Sequence, residues 1–194
     1  MRSGVVLAGG YSTRFGARDK ATAELDGTPL VRRVVDRIEP AVDEVVVNCR
    51  RGQRTAIDDA LTGHDYRLAV DPVPDGGPVA GVRAGCRVAR GRETFVTACD
   101  MPFVRPLLAE RLFEASEGDG AVPRIGGRLR PLAAVYHTRA VIEAADTTLG
   151  LGSGALRDML DRLSMTVVPG PAPARAVSDV DTRAGLRAAE SRST

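Results

Sequence analysis

The sequence has no tryptophan, and three tyrosines and four phenylalanines are its only other aromatic residues. That leaves no row of rings on which the bases of a single strand could stack. The formal net charge of +2 is too small for a surface that wraps duplex DNA. Nucleic acid is therefore not an expected partner. Cysteine is scarce as well. Cys49, Cys86 and Cys99 are an odd number with no C-x-x-C spacing, which argues against a disulfide framework and a zinc knuckle and leaves small apolar core residues. Of the two histidines, His64 reads as a loop residue and His137 as a strand end, and no Ser/His/Asp arrangement is visible. No apolar run approaches the roughly 18 residues that cross a bilayer. The N-terminus carries one arginine and a short apolar run before Gly9-Gly10, too little for a secretory signal, so a cytoplasmic, membrane-free protein is expected. The scarcest charged residue is lysine. Of 27 cationic side chains, Lys20 is the single lysine and all others are arginine.

What is present is the composition of a globular domain, 43% hydrophobic and 27% charged over 194 residues, which fits one domain of ordinary size. Valine-rich runs alternate with segments of helical period, the pattern of a parallel sheet covered by helices. Strands are expected near 3–8, 44–49, 67–71, 94–99, 119–123, 131–137 and 164–168. Helices are expected near 29–39, 52–61, 78–90, 105–117, 138–147, 153–163 and 182–190. The first helix places Leu30, Val31, Val34, Val35 and Ile38 on one face and Arg32, Arg33, Asp36 and Arg37 on the other. Asp26-Gly27 marks a turn before it, and the proline-rich segment 169–176 reads as a stiff loop. The expected fold class is α/β, a single Rossmann-like domain with a mostly parallel sheet and helices on both faces.

In open α/β sheets, ligands bind outside the carboxyl ends of the strands, where the strand order reverses. The first four strands end in Gly9-Gly10, Asn48, Asp71 and Asp100, which parallel strands would bring to one rim. The segment from Gly9 to Lys20 combines two glycines, which let backbone N–H groups approach a ligand, with Arg14, Arg18 and Lys20, a chemistry suited to a triphosphate. It lacks the Gly-Lys-Ser/Thr of a P-loop and the G-x-G-x-x-G spacing of a dinucleotide fingerprint. Asp100, closing a central strand in "TACDMPFV", suits a hard divalent cation such as Mg²⁺ bound together with phosphate oxygens. An N-cap or Asx turn for the next helix is an equal alternative for the same residue.

With those residues in view, "LAGGYSTRFGARDK" resembles the L-A-G-G-x-S-x-R-M-G-x-x-D-K signature of the nucleotidyltransferase family that includes molybdenum cofactor guanylyltransferase. "VVVNCR" (45–50), "VDPVPDGGPVAGV" (70–82), "TACDMPFV" (97–104), "RPLAAVY" (130–136) and "DVDT" (179–182) follow in the family's order. The resemblance implies that the backbone of Leu7, Ala8 and Gly9 contacts the nucleotide and that Lys20 reaches its phosphates. It further implies that Asn48 and Asp71 read the base and ribose region, and that Asp100 binds both Mg²⁺ and nucleotide. Phe15 stands where methionine is usual, and Asp179-Val180-Asp181-Thr182-Arg183 departs from the Asn-x-Asn-Thr-Pro of many relatives.

The implied reaction is transfer of GMP from GTP to the phosphate of molybdopterin, with pyrophosphate released. Arg14, Lys20 and loop amides would bear on the phosphates, and Asp100 would hold Mg²⁺. Residues 1–105 would form the nucleotide-binding half and 106–194 the acceptor half. In the second, Arg124, Arg128 and Arg130 make either a basic wall for an acceptor phosphate or a solvated hairpin. GTP and molybdopterin are the implied partners, with cofactor-insertion proteins or target molybdoenzymes as further ones. Guanylyl transfer to a corrinoid phosphate, cytidylyl transfer to molybdopterin, and a GTP-binding delivery protein without turnover are the alternatives.

Overall fold

A computed structural model of the chain describes residues 1–10, 19–71 and 76–170. The expected helix at 182–190, most of the proline-rich segment, and Ser12, Thr13, Arg14, Phe15, Arg18, Asp179 and Asp181 lie outside those residues.

Chain order begins with β1 (Arg2–Leu7), then a two-stranded ribbon, β2 (Glu24–Leu25) and β3 (Thr28–Pro29), then α1 (Leu30–Ile38) and β4 (Glu44–Cys49). There follow α2 (Arg54–Ala60), β5 (Arg67–Val70), α3 (Gly77–Val88), β6 (Glu93–Ala98) and α4 (Pro106–Glu114). The second half adds β7 (Gly120–Ile125), β8 (Arg128–Leu129), β9 (Ala133–His137), α5 (Thr138–Gly150), α6 (Leu156–Leu160) and β10 (Met165–Pro169). The central sheet has the order β5-β4-β1-β6-β9. Its first four strands are parallel, and β9 closes the edge antiparallel to β6. A second sheet, β10-β7-β8, pairs β10 with β7 in parallel and turns back through the β7–β8 hairpin.

The valine runs of β1, β4 and β6 are continuous because both faces are covered, as in any parallel sheet flanked by helices. Side-chain alternation divides them. Val6 and Val47 pack with α1, α2 and α4 on one face, while Val5, Val46 and Val96 pack with α3, α5 and α6 on the other. The fold is thus the expected α/β domain with helices on both faces. The three cysteines are buried, and burial pushes the Cys49 thiol up to about 11, as suits core residues.

Two tight turns add short antiparallel strands to the expected elements. The Asp26-Gly27 turn joins a short antiparallel ribbon, with both residues at positive φ (50° and 73°), and the strands of two residues each are too short to show a period. Gly126-Gly127 makes the equivalent turn between β7 and β8, so the segment carrying Arg124, Arg128 and Arg130 is a hairpin with Arg124 and Arg128 exposed.

The amino ends of the strands are stitched shut. Ser3 is fully buried. Its hydroxyl donates to Glu44 Oε1 at 2.6 Å and accepts the Gly91 N–H at 2.8 Å, fixing the turn into β6. Burial alone would raise the Glu44 carboxyl. The Ser3 hydroxyl, the Arg90 and Gly91 amides and the Arg67 charge outweigh it and hold the group below its ordinary value. A carboxyl depressed in the folded state adds stability above its unfolded value of about 4.3, and that stability disappears as pH falls through the lower folded value. Ser3→Ala is expected to cost about 1–3 kcal/mol at neutral pH, because it leaves a buried N–H unpaired. It should also lose less additional stability than the parent on acidification. Urea unfolding at neutral pH and below about pH 4 checks both, and an equal acid loss in the two proteins would remove the hydroxyl as a cause.

Candidate active site

The strand order reverses at β1, which has β4 on one side and β6 on the other. Backbone pairing continues past the strand ends. The Ala8 N–H donates to the Asn48 carbonyl at 2.8 Å, the Cys99 N–H to the Leu7 carbonyl at 3.0 Å and the Asp71 N–H to the Cys49 carbonyl at 2.9 Å. Leu7, Ala8, Gly9, Asn48, Asp71 and Asp100 therefore share one rim, held by the sheet's own ladder.

Asn48 and Asp71 form a unit. Asn48 is 1% exposed, and its amide nitrogen donates to the Ala69 carbonyl at 3.1 Å and to Asp71 Oδ1 at 2.7 Å. With both N–H groups committed, Asn48 orients Asp71. Two glycines leave room for this pair. A Cβ on Gly9 would lie 2.4 Å from Asp71 Oδ2, and one on Gly81, within α3, would lie 2.8 Å from Asn48 Oδ1. Glycine inside a helix costs about 1 kcal/mol relative to alanine, and here the close approach of the amide requires it. Burial pushes the Asp71 carboxyl above the usual carboxylate range, opposed by the Asn48 hydrogen bond and the Arg50 charge.

Lys20 and Asp100, 80 residues apart in sequence, meet at the same rim. Lys20 Nζ lies 2.7 Å from Asp100 Oδ2, with side chains 13% and 22% exposed. The alternative reading of Asp100 as a helix cap is excluded by geometry. The next helix, α4, is preceded by Arg105, and among the described residues no backbone N–H donates to the Asp100 carboxylate. A single carboxylate, already paired with an ammonium, is the donor set of a hard cation held mainly by phosphate oxygens and water, not by an all-protein cage. That set fits Mg²⁺ arriving with a nucleoside triphosphate.

The β7–β8 hairpin reaches this rim too. β9 starts with Ala133 beside Thr97, near the carboxyl end of β6, and the Ala133 N–H donates to the Arg130 carbonyl at 3.0 Å, while the Arg130 N–H donates to the Pro123 carbonyl at 3.0 Å. The Arg130 Nε is buried without a hydrogen-bond partner. A different cluster lies at the opposite, amino ends of the strands. Asp36, Glu39 and His64 bring ligand atoms within 4.8 Å of one another, but both ring nitrogens already face carboxylates, Nδ1 to Glu39 at 2.9 Å and Nε2 to Asp36 at 3.2 Å. Arg14 lies outside the described residues, so its relation to the rim is not described.

Sequence reasoning missed Asp19, Gln53 and Arg50. Gln53, in a single turn of 3₁₀ helix after β4, is 5% exposed, and its amide touches both the end of β1 and Asp19. A glutamine inside "RRGQRT" carries no sequence signal of burial.

The rim's chemistry agrees with what the chain resembles. Residues 4–167 match the MobA-like NTP transferase domain. A probable molybdenum cofactor guanylyltransferase of Haloferax mediterranei is 40% identical over 98% of this chain and 94% of its own length. The crystal structure of molybdopterin-guanine dinucleotide biosynthesis protein A from Archaeoglobus fulgidus superposes with a TM-score of 0.80 at 24% identity, covering 100% of this chain and 98% of that one. Rv0371c of Mycobacterium tuberculosis, solved in complex with manganese, shares the fold at a TM-score of 0.69 and 22% identity over 98% of both chains. With a parallel sheet reversing at β1, a glycine-rich first turn and an aspartate closing β6, the chain belongs to the MobA-like NTP transferase family.

Proposed function

We propose that this protein transfers GMP from GTP to the terminal phosphate of molybdopterin, releasing pyrophosphate and forming the guanine dinucleotide cofactor, and that it does so in the cytoplasm. The observation that carries the proposal is the Lys20–Asp100 pair at the switch point beside the Gly9 backbone. The 40% identity to a probable molybdenum cofactor guanylyltransferase supports the choice of substrates.

In the proposed reaction an oxygen of the acceptor phosphate attacks the α-phosphorus of GTP in line, and the bond from that phosphorus to the β-phosphate bridging oxygen breaks. The acceptor phosphate is already ionised near neutral pH, so no residue need remove a proton. The chain's part is positioning and charge complementarity. The Leu7-Ala8-Gly9 backbone approaches the nucleotide, Asp71, oriented by Asn48, accepts hydrogen bonds from the base and ribose region, and Lys20 and Arg14 bear on the phosphates. Asp100 would hold Mg²⁺, which neutralises charge on the phosphate oxygens when bound. Manganese in a similar fold supports a divalent ion here. Residues 1–105 serve the nucleotide. Residues 106–194 serve the acceptor, with Arg124, Arg128 and Arg130 offering positive charge to its phosphate from the hairpin at the rim. Cofactor-insertion proteins or target molybdoenzymes would then receive the product.

Mass spectrometry of the product formed from GTP and molybdopterin tests the proposal. A molybdopterin–GMP adduct with one pyrophosphate released per adduct is expected. A preference for CTP or for a corrinoid phosphate would move the chain to another transferase reaction, and no pyrophosphate release with any acceptor would make it a binding protein.

Three substitutions probe the ion pair, the first two through metal affinity. Lys20 masks Asp100 until nucleotide arrives, so Lys20→Met is expected to bind Mn²⁺ without nucleotide at least about fivefold more tightly, as removal of a competing cation allows. Asp100→Asn should bind it more weakly and lose on the order of 10²–10³ in turnover. Titration of Mn²⁺ by electron paramagnetic resonance reads the affinities, and equal affinity in the parent and both variants would remove Asp100 from the metal site. Lys20→Arg keeps the charge but replaces a compact ammonium with a wide planar fork. It should lower guanylyl transfer at least about tenfold, or roughly 1.4 kcal/mol. Parent-like rates at saturating and at low GTP would show that charge alone suffices.

A further inference from the structure

Gln53 is a buried polar residue that the reaction scheme leaves without a task. Both of its side-chain donors and its side-chain oxygen are engaged in one place. Its Nε2 donates to the Ala8 carbonyl at 2.9 Å and to Asp19 Oδ2 at 2.5 Å, and its Oε1 accepts the Arg50 N–H at 2.7 Å. Asp19 is held from other directions too. Its Oδ2 accepts from the Arg50 guanidinium at 3.1 Å, and its Oδ1 accepts the Ala21 N–H at 3.0 Å, capping the 3₁₀ turn Lys20–Thr22.

The two residues that Gln53 joins are separated by 11 positions in sequence and flank the glycine-rich basic segment. Ala8 continues β1 and precedes Gly9. Asp19 precedes Lys20. One amide therefore fixes the distance between the backbone that approaches the nucleotide and the lysine that reaches its phosphates. It refers both to the end of β4, which also supplies Asn48. Any drift of Asp19 would carry Lys20 with it, since the turn that begins at Lys20 is capped by the Asp19 carboxylate.

We infer that Gln53 is a positioning residue for nucleotidyl transfer: by tying Ala8 to Asp19 it pre-sets Lys20 against the phosphates, lowering the ordering cost of binding GTP. The inference rests on the proposed role of Lys20 at the phosphates. Glutamine suits the position because it offers two donors on one nitrogen toward two acceptors, a carbonyl and a carboxylate, and an acceptor toward an amide. Glutamate, of the same shape, would set a second carboxylate against Asp19. Leucine would leave the Ala8 carbonyl and the Asp19 carboxylate short of a donor.

The test is a double-mutant cycle on GTP affinity, with unfolding transitions recorded for each protein. Gln53→Leu is expected to weaken GTP binding about tenfold in the parent and less than about threefold in the Lys20→Met background, because the position it sets is then of no use. Gln53→Glu supplies a readout that a packing role would not move. Protonated, its carboxyl can again donate, so its kcat/KM relative to the parent should recover as pH falls from about 8 to about 6, while that of Gln53→Leu stays level. Fully multiplicative losses in the cycle, or a pH-independent deficit in Gln53→Glu, would overturn the assignment. So would loss of a cooperative unfolding transition in both Gln53 variants, which would make the residue one of folding. If Lys20→Met itself binds and turns over GTP like the parent, the phosphate-site reading fails instead, a result distinguishable from failure of the Gln53 coupling alone.

Discussion

Every functional group at the rim takes its place from β1. That strand is hydrogen-bonded along both edges and covered on both faces, with Val5 and Val6 fully buried, so it has no freedom to slide or tilt. Its pairing with β4 and β6 sets Leu7 opposite both Asn48 and Ala98. A shift of one residue in either ladder would exchange the two faces of the neighbouring strand, burying polar groups and exposing valines, and is forbidden on those grounds. The register that hydrophobic burial enforces is thus the same register that aligns Gly9, Asn48 and Asp100.

On that frame the rim keeps its charges in exchangeable pairs. Lys20 and Asp100 are mostly, but not wholly, withdrawn from water, at 13% and 22% exposure. Pairs of this kind add little net stability, because desolvation offsets much of the attraction. Their value lies in readiness. In the proposed reaction the lysine would supply the aspartate with a counter-charge while no nucleotide is bound, and each partner would find a better match, phosphate for one and metal for the other, when the triphosphate arrives. Asp71 is arranged differently. Its partner Asn48 is neutral and committed, so the carboxylate stays oriented without a cation to displace.

How much of this the sequence discloses follows from the range of the forces involved. The strands β1, β4, β5 and β6 are legible because burial on both faces writes uninterrupted valine runs, and the strand-end rule then assembles Gly9, Asn48, Asp71 and Asp100 without reference to any contact. The antiparallel direction of β9 is not legible, since "AAVYH" would be equally apolar run either way. Nor is the β2–β3 ribbon, whose two-residue strands show no period. α5 starts at Thr138 as expected but runs on to Gly150, and α6 is shorter at both ends, Leu156–Leu160, with no side-chain cap to mark its start. Asn48 reads from sequence as a group facing ligand, and only the structure reveals that its donors are turned inward. Gln53 is the least legible. Its partners Ala8 and Asp19 are 45 and 34 residues away, and nothing local distinguishes a buried amide from a solvated one.

The two rims of the sheet show why such a residue belongs where it does. At the amino ends, Ser3, Glu44 and Gly91 form one closed set, and the Thr94 and Thr138 hydroxyls, 2.8 Å apart, form another with the Gly91 carbonyl. Both sets tie strand to turn by short side chains, and their donors and acceptors are satisfied within the fold. The carboxyl ends cannot be closed in the same way, because groups fully satisfied by the protein have nothing to offer a ligand. A rim left open would gain reactivity but lose definition, since unpaired charges on loops sample many positions. Placing a fully satisfied amide one step behind the charges resolves the conflict. Gln53 and Asn48 take the rigid role and stay buried at 5% and 1% exposure, while in front of them Lys20 and Asp100 can exchange partners and Asp71 keeps Asn48 as an orienting neighbour. Preorganisation and reactivity are assigned to different residues, Asn48 acting on Asp71 directly and Gln53 acting on Lys20 through Asp19.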